Sequence, residues 1–140
     1  MAESVPSHSG GVVDHARFSA ATERALAHGE GRGVVLIELD GADDAVMAAA
    51  EARIVRTIRP SDLLGRLTRY RFAVLARTDG GPEQVGRVAE RVAARLGEPF
   101  HVGGKQVEPV ARIGVAVAEG DSDTAAKILL RAEQAFDAPR

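Results

Sequence analysis

Val34-Val35-Leu36-Ile37 is an unbroken apolar run that ends in Glu38-Leu39-Asp40. A strand with one wet face alternates apolar and polar side chains, so a continuous run marks a strand buried on both faces. Such a strand lies in the middle of its sheet, with a layer covering each side. Its end carries two acids, Glu38 and Asp40.

The covering layers read as helices. From Asp14 to His28, Phe18, Ala21, Ala25 and Leu26 recur at close to helical spacing before Gly29, Gly31 and Gly33. Asp43 or Asp44 is placed to cap a second helix with Met47, Ala50, Ile54 and Ile58 on its face, closed by Pro60. Pro82 suits the first turn of a third, striped by Val85, Val88, Ala89, Val92 and Leu96 and ended by Gly97. Ser122 or Asp123 starts a fourth, with Ala125, Leu129, Ala132 and Phe136 on one side. Between them, Leu63 to Leu67 and Phe72 to Ala76 form a hairpin. Short strands at Phe100-His101-Val102 and Gln106-Val107 turn on Gly103-Gly104, and Val110 to Ala118 is a further strand. The order is helix, strand, helix, hairpin, helix, hairpin, strand, helix, an α+β sandwich whose central sheet is covered by helices. The core is expected to include Leu36, Ile54, Phe72, Val74, Val92, Ile113 and Leu129.

A chain of 140 residues holds one domain with a sizeable core. Residues 1–12 are expected to be a disordered segment and residues 13–140 the domain. Lys plus Arg total 18 against 20 Asp plus Glu, so no broad nucleic-acid footprint exists and DNA or RNA is not an expected partner. The absence of cysteine removes disulfides and thiolate metal sites. His8, His15, His28 and His101 are scattered without ligand spacing. No apolar run reaches membrane-spanning length and the polar first residues are no secretory signal, so a cytoplasmic location without membrane contact is the expectation.

Arg66-Leu67-Thr68-Arg69-Tyr70-Arg71-Phe72-Ala73-Val74-Leu75 resembles the signature hairpin of the GGDEF family, the bacterial diguanylate cyclases that join two GTP into cyclic di-GMP. That signature runs Arg, an apolar residue, Gly-Gly-Asp/Glu-Glu-Phe, then an apolar strand. Arg66, Leu67, Phe72 and the strand stand where the family has them, while Thr68, Arg69, Tyr70 and Arg71 occupy the four chemical positions. Arg112-Ile113-Gly114-Val115-Ala116 is similar to the family's Ser-Ile-Gly-Val-Ala strand with Arg112 in place of Ser. Leu129-Leu130-Arg131-Ala132-Glu133-Gln134-Ala135 is similar to its Leu-Leu-Arg-Ala-Asp-x-Ala helix. The resemblance covers the chain from about Asp14 to its end, and the element order matches the family's sandwich with its mostly antiparallel sheet.

The resemblance also says what the departures do. Paired glycines let the backbone approach a triphosphate, and the following carboxylate holds the divalent metal of phosphoryl transfer. Tyr70 stands at that metal position, and a protonated phenol is a poor Mg2+ ligand. Glu38-Leu39-Asp40 replaces the family's metal-binding Asp-x-Asp. The guanine-reading Asn has no counterpart, and Asp44, which aligns with the guanine-reading acid, reads more simply as a helix-cap or first-turn acid. The implied reading is no catalytic residue, no metal site and no cofactor.

Arg59-Pro60-Ser61-Asp62 matches the family's product-binding Arg-x-x-Asp in type and in distance before the signature, and Arg91 aligns with a further arginine of that site. Arginine forks onto phosphate or guanine O6 and N7, and a carboxylate accepts from guanine N1–H and N2–H. The bland alternative is that Arg59 and Asp62 only end a helix and start a strand. Arg140 falls at the family's phosphate-binding lysine. The expectation is a catalytically inactive GGDEF-like domain that receives cyclic di-GMP through Arg59, Asp62 and Arg91. The alternatives are a pseudoenzyme serving as an interaction module for an unidentified protein partner and, third, a residual cyclase.

Overall fold

The computed structural model describes residues 11–78, 81–120 and 122–136. In chain order it runs β1 (Val12–Asp14), α1 (His15–Ala27), β2 (Arg32–Asp40), α2 (Asp44–Thr57), β3 (Leu63–Thr68), β4 (Arg71–Arg77), α3 (Glu83–Leu96), β5 (Phe100–Val102), β6 (Lys105–Val107), β7 (Val110–Val117) and α4 (Ala125–Phe136). Five strands form one sheet in the order β1-β3-β4-β2-β7, and β5 and β6 make a separate hairpin. All pairings are antiparallel except β1 with β3. Gly103 and Gly104, at φ 59° and 78°, supply the left-handed turn between β5 and β6 that other residues resist.

The apolar run of β2 feeds two cores. Val35, Ile37 and Leu39 point toward α2 and α3, meeting Met47, Ala50, Ile54, Val85, Val88 and Val92. Val34 and Leu36 point the other way and meet Phe18 of α1 and Ile128 and Ala132 of α4. The sandwich expected from the unbroken run is what forms, with a helix pair on each face of a mostly antiparallel sheet.

Local chemistry sets the helix ends. Asp14 caps α1 by accepting from Arg17 N, and Asp43 caps α2 by accepting from Val46 N, each at 2.9 Å. For α4 the cap is neither Ser122 nor Asp123. Thr124 Oγ1 accepts from Lys127 N at 3.1 Å, while Asp123 is drawn inward by other partners. Among the expected core residues, Leu36, Ile54, Phe72, Val74 and Val92 are buried. Leu129 is only half-buried because Ile128 takes the inward position on α4, and Ile113 is half-buried because β7 is an edge strand. Strand β1 has no counterpart in the expected order: Val12, the last residue of the segment expected to be disordered, pairs with Leu64. Residues 1–10 of that segment lie outside the described residues. No helix among the described residues is long and apolar enough to cross a membrane.

At Gly114 the backbone of β7 comes close to that of α4. A Cβ there would run into the backbone carbonyl of Ala132 on α4. Backbone yields less readily than a flexible side chain, so Gly114→Ala should cost about 1 to 3 kcal/mol through displacement of α4. Urea denaturation measures it; a change within about 0.5 kcal/mol would show that α4 is not seated as described.

Candidate functional site

Strand register assembles the polar end of the sheet. Glu38 lies on β2, directly opposite Arg71 on β4 and, on its other flank, directly opposite Arg112 on β7. Residues opposite one another project to the same face, here the α1 and α4 side. Glu38 Oε1 accepts from Arg71 Nε at 2.8 Å and Glu38 Oε2 from Arg112 Nη2 at 3.0 Å. Each carboxylate oxygen therefore carries a guanidinium. Arg71 Nη2 also donates to Glu133 of α4 at 3.1 Å, and Arg112 Nε stands 3.7 Å from Asp40. The Phe136 ring lies over both guanidinium groups, at 5.4 Å from Arg71 and 5.2 Å from Arg112. Burial pushes the Glu38 carboxyl up, but its hydrogen bonds to Arg71 and Arg112 outweigh that and hold it below the ordinary value.

The β3–β4 turn is held from its own strand. Arg66 reaches forward to donate to the carbonyls of Thr68 at 3.2 Å and Arg69 at 2.9 Å, and its guanidinium also meets Glu51 of α2 at 3.5 Å. Tyr70 is exposed in the turn, and its carbonyl accepts from Leu39 N. Arg69 pairs with Asp44 at 3.2 Å, both largely exposed, so the pair adds at most about 1 kcal/mol. Asp44 is thus a first-turn acid of α2 rather than its cap. A hollow of about 170 Å³ remains among Glu38, Leu39, Asp40, Gly41, Ala42 and Tyr70. A larger groove of about 460 Å³ runs between α1 and α4 over Leu36, Leu67 and Leu129. Among the described residues, no three His, Asp or Glu side chains converge as a metal-binding group.

Arg59 and Asp62 lie in the turn from α2 to β3, at the other end of β3 from the β3–β4 turn. Arg59 N donates to Asp62 Oδ2 at 3.0 Å and Asp62 N donates to Arg59 O at 2.9 Å, which closes the four residues into one tight turn. Arg59 is exposed and Asp62 half-buried. Arg91 is half-buried on α3, the helix packed beside α2, and bonds to neither of them. Arg140 lies outside the described residues.

Sequence reasoning took Arg71 and Arg112 as two separate departures from a pattern. It missed their meeting on Glu38, and it placed Glu133 and Phe136 on the last helix without assigning them to the site. The signal that could have found the cluster is the pair of arginines on the two strands that flank the acid-bearing one.

A family model described as the diguanylate cyclase GGDEF domain matches residues 17–139. The chain belongs to the GGDEF family. Among curated proteins, this GGDEF domain is 24% identical over 131 residues to the bifunctional diguanylate cyclase/cyclic di-GMP phosphodiesterase MucR of Pseudomonas aeruginosa. That match covers 86% of this chain but only 19% of MucR, so the chain spans about a fifth of that relative's length. Among solved structures, the isolated GGDEF domain of YfiN (TpbB) from Pseudomonas aeruginosa is 29% identical, with a TM-score of 0.77 over 89% of this chain and 82% of that one. The GGDEF domain of FimX from the same organism shares the fold, with a TM-score of 0.77 over 96% and 93% of the two chains at 19% identity.

Proposed function

We propose that this GGDEF domain is catalytically inactive and receives cyclic di-GMP through Arg59, Asp62 and Arg91. The observation that carries the reading is the contrast between the two sites. At the metal-binding end both oxygens of Glu38 hold guanidinium groups, and Asp40 lies beside Arg112. Tyr70, at the remaining ligand position, puts a phenol where the family has a carboxylate. Mg2+ demands anionic oxygens in octahedral array, and this donor set does not fit it. The Arg59–Asp62 turn is in the opposite condition. Its hydrogen bonds hold the Asp62 carboxylate against the Arg59 backbone, and the Arg59 side chain faces solvent, where it can reach a guanine edge or a phosphate.

Isothermal titration tests the reading. Cyclic di-GMP should bind the wild type, and Arg59→Ala and Asp62→Asn should each weaken it about tenfold or more, since a charged hydrogen bond contributes roughly 1.5 to 3 kcal/mol. Asp62→Asn keeps size but turns a donor toward the guanine N–H groups. GTP should compete poorly, because one linear triphosphate does not present two guanines. Incubation with GTP and Mg2+ should yield no cyclic di-GMP by chromatography. Enzyme-dependent product would refute inactivity, and no binding at high micromolar ligand would refute the receptor and leave an interaction module in its place.

A further inference from the structure

We propose that the outer edge of β7 is a self-association surface whose occupant is β7 of a second copy of this chain, paired antiparallel about Ile113. The phase of the β2–β7 ladder fixes which backbone groups are available. Ala118 N donates to Arg32 O at 2.9 Å, and the register pairs Val34 with Ala116 and Leu36 with Gly114. Antiparallel residues alternate between bonding inward and outward, so even-numbered residues of β7 bond to β2 while Ala111, Ile113, Val115 and Val117 turn their N–H and C=O outward. Among the described residues no strand pairs with that edge. All four side chains are only half-buried, as an uncovered edge leaves them. A long apolar edge of this kind is a template for strand addition.

Three features make the edge complementary to itself. A two-fold axis at Ile113 sets Ala111 opposite Val115 of the second copy, Ile113 opposite Ile113 and Val115 opposite Ala111, which gives about six backbone hydrogen bonds. The next pair, Pro109 with Val117, would end the ladder. Pro109 has no N–H to give, and the carbonyl it would have met, Val117 O, already accepts from Arg131 at 2.8 Å. The one missing donor thus faces the one occupied acceptor. On the α4 face the same register lays Val110, an exposed large apolar side chain, against Ala116 of the second copy. Arg112 falls opposite Gly114, and although it lies diagonal to its own copy, its charge is matched by Glu38 and Asp40. The pairing joins two five-stranded sheets into one continuous sheet.

Sedimentation equilibrium on the full chain tests it. The wild type should show a concentration-dependent shift from the 14.7 kDa monomer to twice that mass and no further. Ala111→Pro removes an outward N–H without touching the β2 ladder, and it should weaken the dimer about tenfold or more while leaving the monomer folded by circular dichroism. Should that variant fail to fold, hydrogen exchange on the wild type decides. The amides of Ala111, Ile113 and Val115 should gain protection as the protein becomes dimeric. A wild type that stays monomeric at hundreds of micromolar overturns the proposal. So does a dimer unchanged by Ala111→Pro, open-ended assembly, or a dimer in which those three amides still exchange freely.

Discussion

Arg131→Ala should destabilise the domain by about 3 to 5 kcal/mol, because it strands a buried carboxylate. The Asp123 side chain is 2% exposed, and Arg131 donates to both of its oxygens, at 3.1 and 2.7 Å. The same guanidinium holds Val117 O, so it fastens the end of β7 to the start of α4. Asp123 also accepts from Glu119 N and Thr124 N. The Arg131 hydrogen bonds, aided by those two backbone donors and opposed by burial, lower Asp123 from 3.8 to about 2. A depressed acid stabilises the folded state at pH values above its unfolded pKa and loses that contribution as pH falls through the folded one. Wild-type stability should therefore drop between about pH 4 and pH 2 on this account, and Arg131→Ala should flatten that part of the profile. Chemical denaturation across that range measures both effects. A loss below about 1 kcal/mol would place the pair among surface ion pairs.

Ile54→Ala should cost about 2 to 5 kcal/mol. Ile54 is 1% exposed in the core between α2, α3 and the sheet, where Met47, Ala50 and Val92 are also buried. Truncation removes buried methylenes and leaves a void that neighbours held by the sheet cannot fill, so both the transfer and the cavity contributions apply. Equilibrium denaturation with an unchanged slope would assign the loss to packing. A change within about 0.5 kcal/mol, as at an exposed position, would mean that α2 turns another face to the sheet.

Periodicity and turn chemistry were enough for the helices, the hairpins and the burial of β2 on both faces, because each depends on neighbours within a few residues, but not for the strand order, which puts β4 in the middle of the sheet and β2 one strand from its edge. Strand β1 was not legible: three residues pair in parallel with a strand some fifty positions away, and Val12-Val13 reads as nothing without that partner. Leu129 was misplaced because Ile128 and Leu129 are adjacent apolar residues, and which one turns inward depends on how α4 is rotated against the sheet. At the site, the substitutions were visible singly. What they do together is a matter of register, since Glu38, Arg71 and Arg112 come from three strands and meet only once those strands are aligned.

That alignment has a consequence for how this end of the domain responds to its surroundings. A divalent ion at a carboxylate is an exchangeable component, present in proportion to its concentration and removable by a chelator. The guanidinium groups on Glu38 are tethered to the flanking strands, so their local concentration is set by the fold rather than by the solution. Charge compensation that elsewhere fluctuates with ionic supply is here a fixed property of the chain. It also rivets β4, β2 and β7 side to side, so the β3–β4 hairpin cannot swing away from β2 without pulling opposite charges apart.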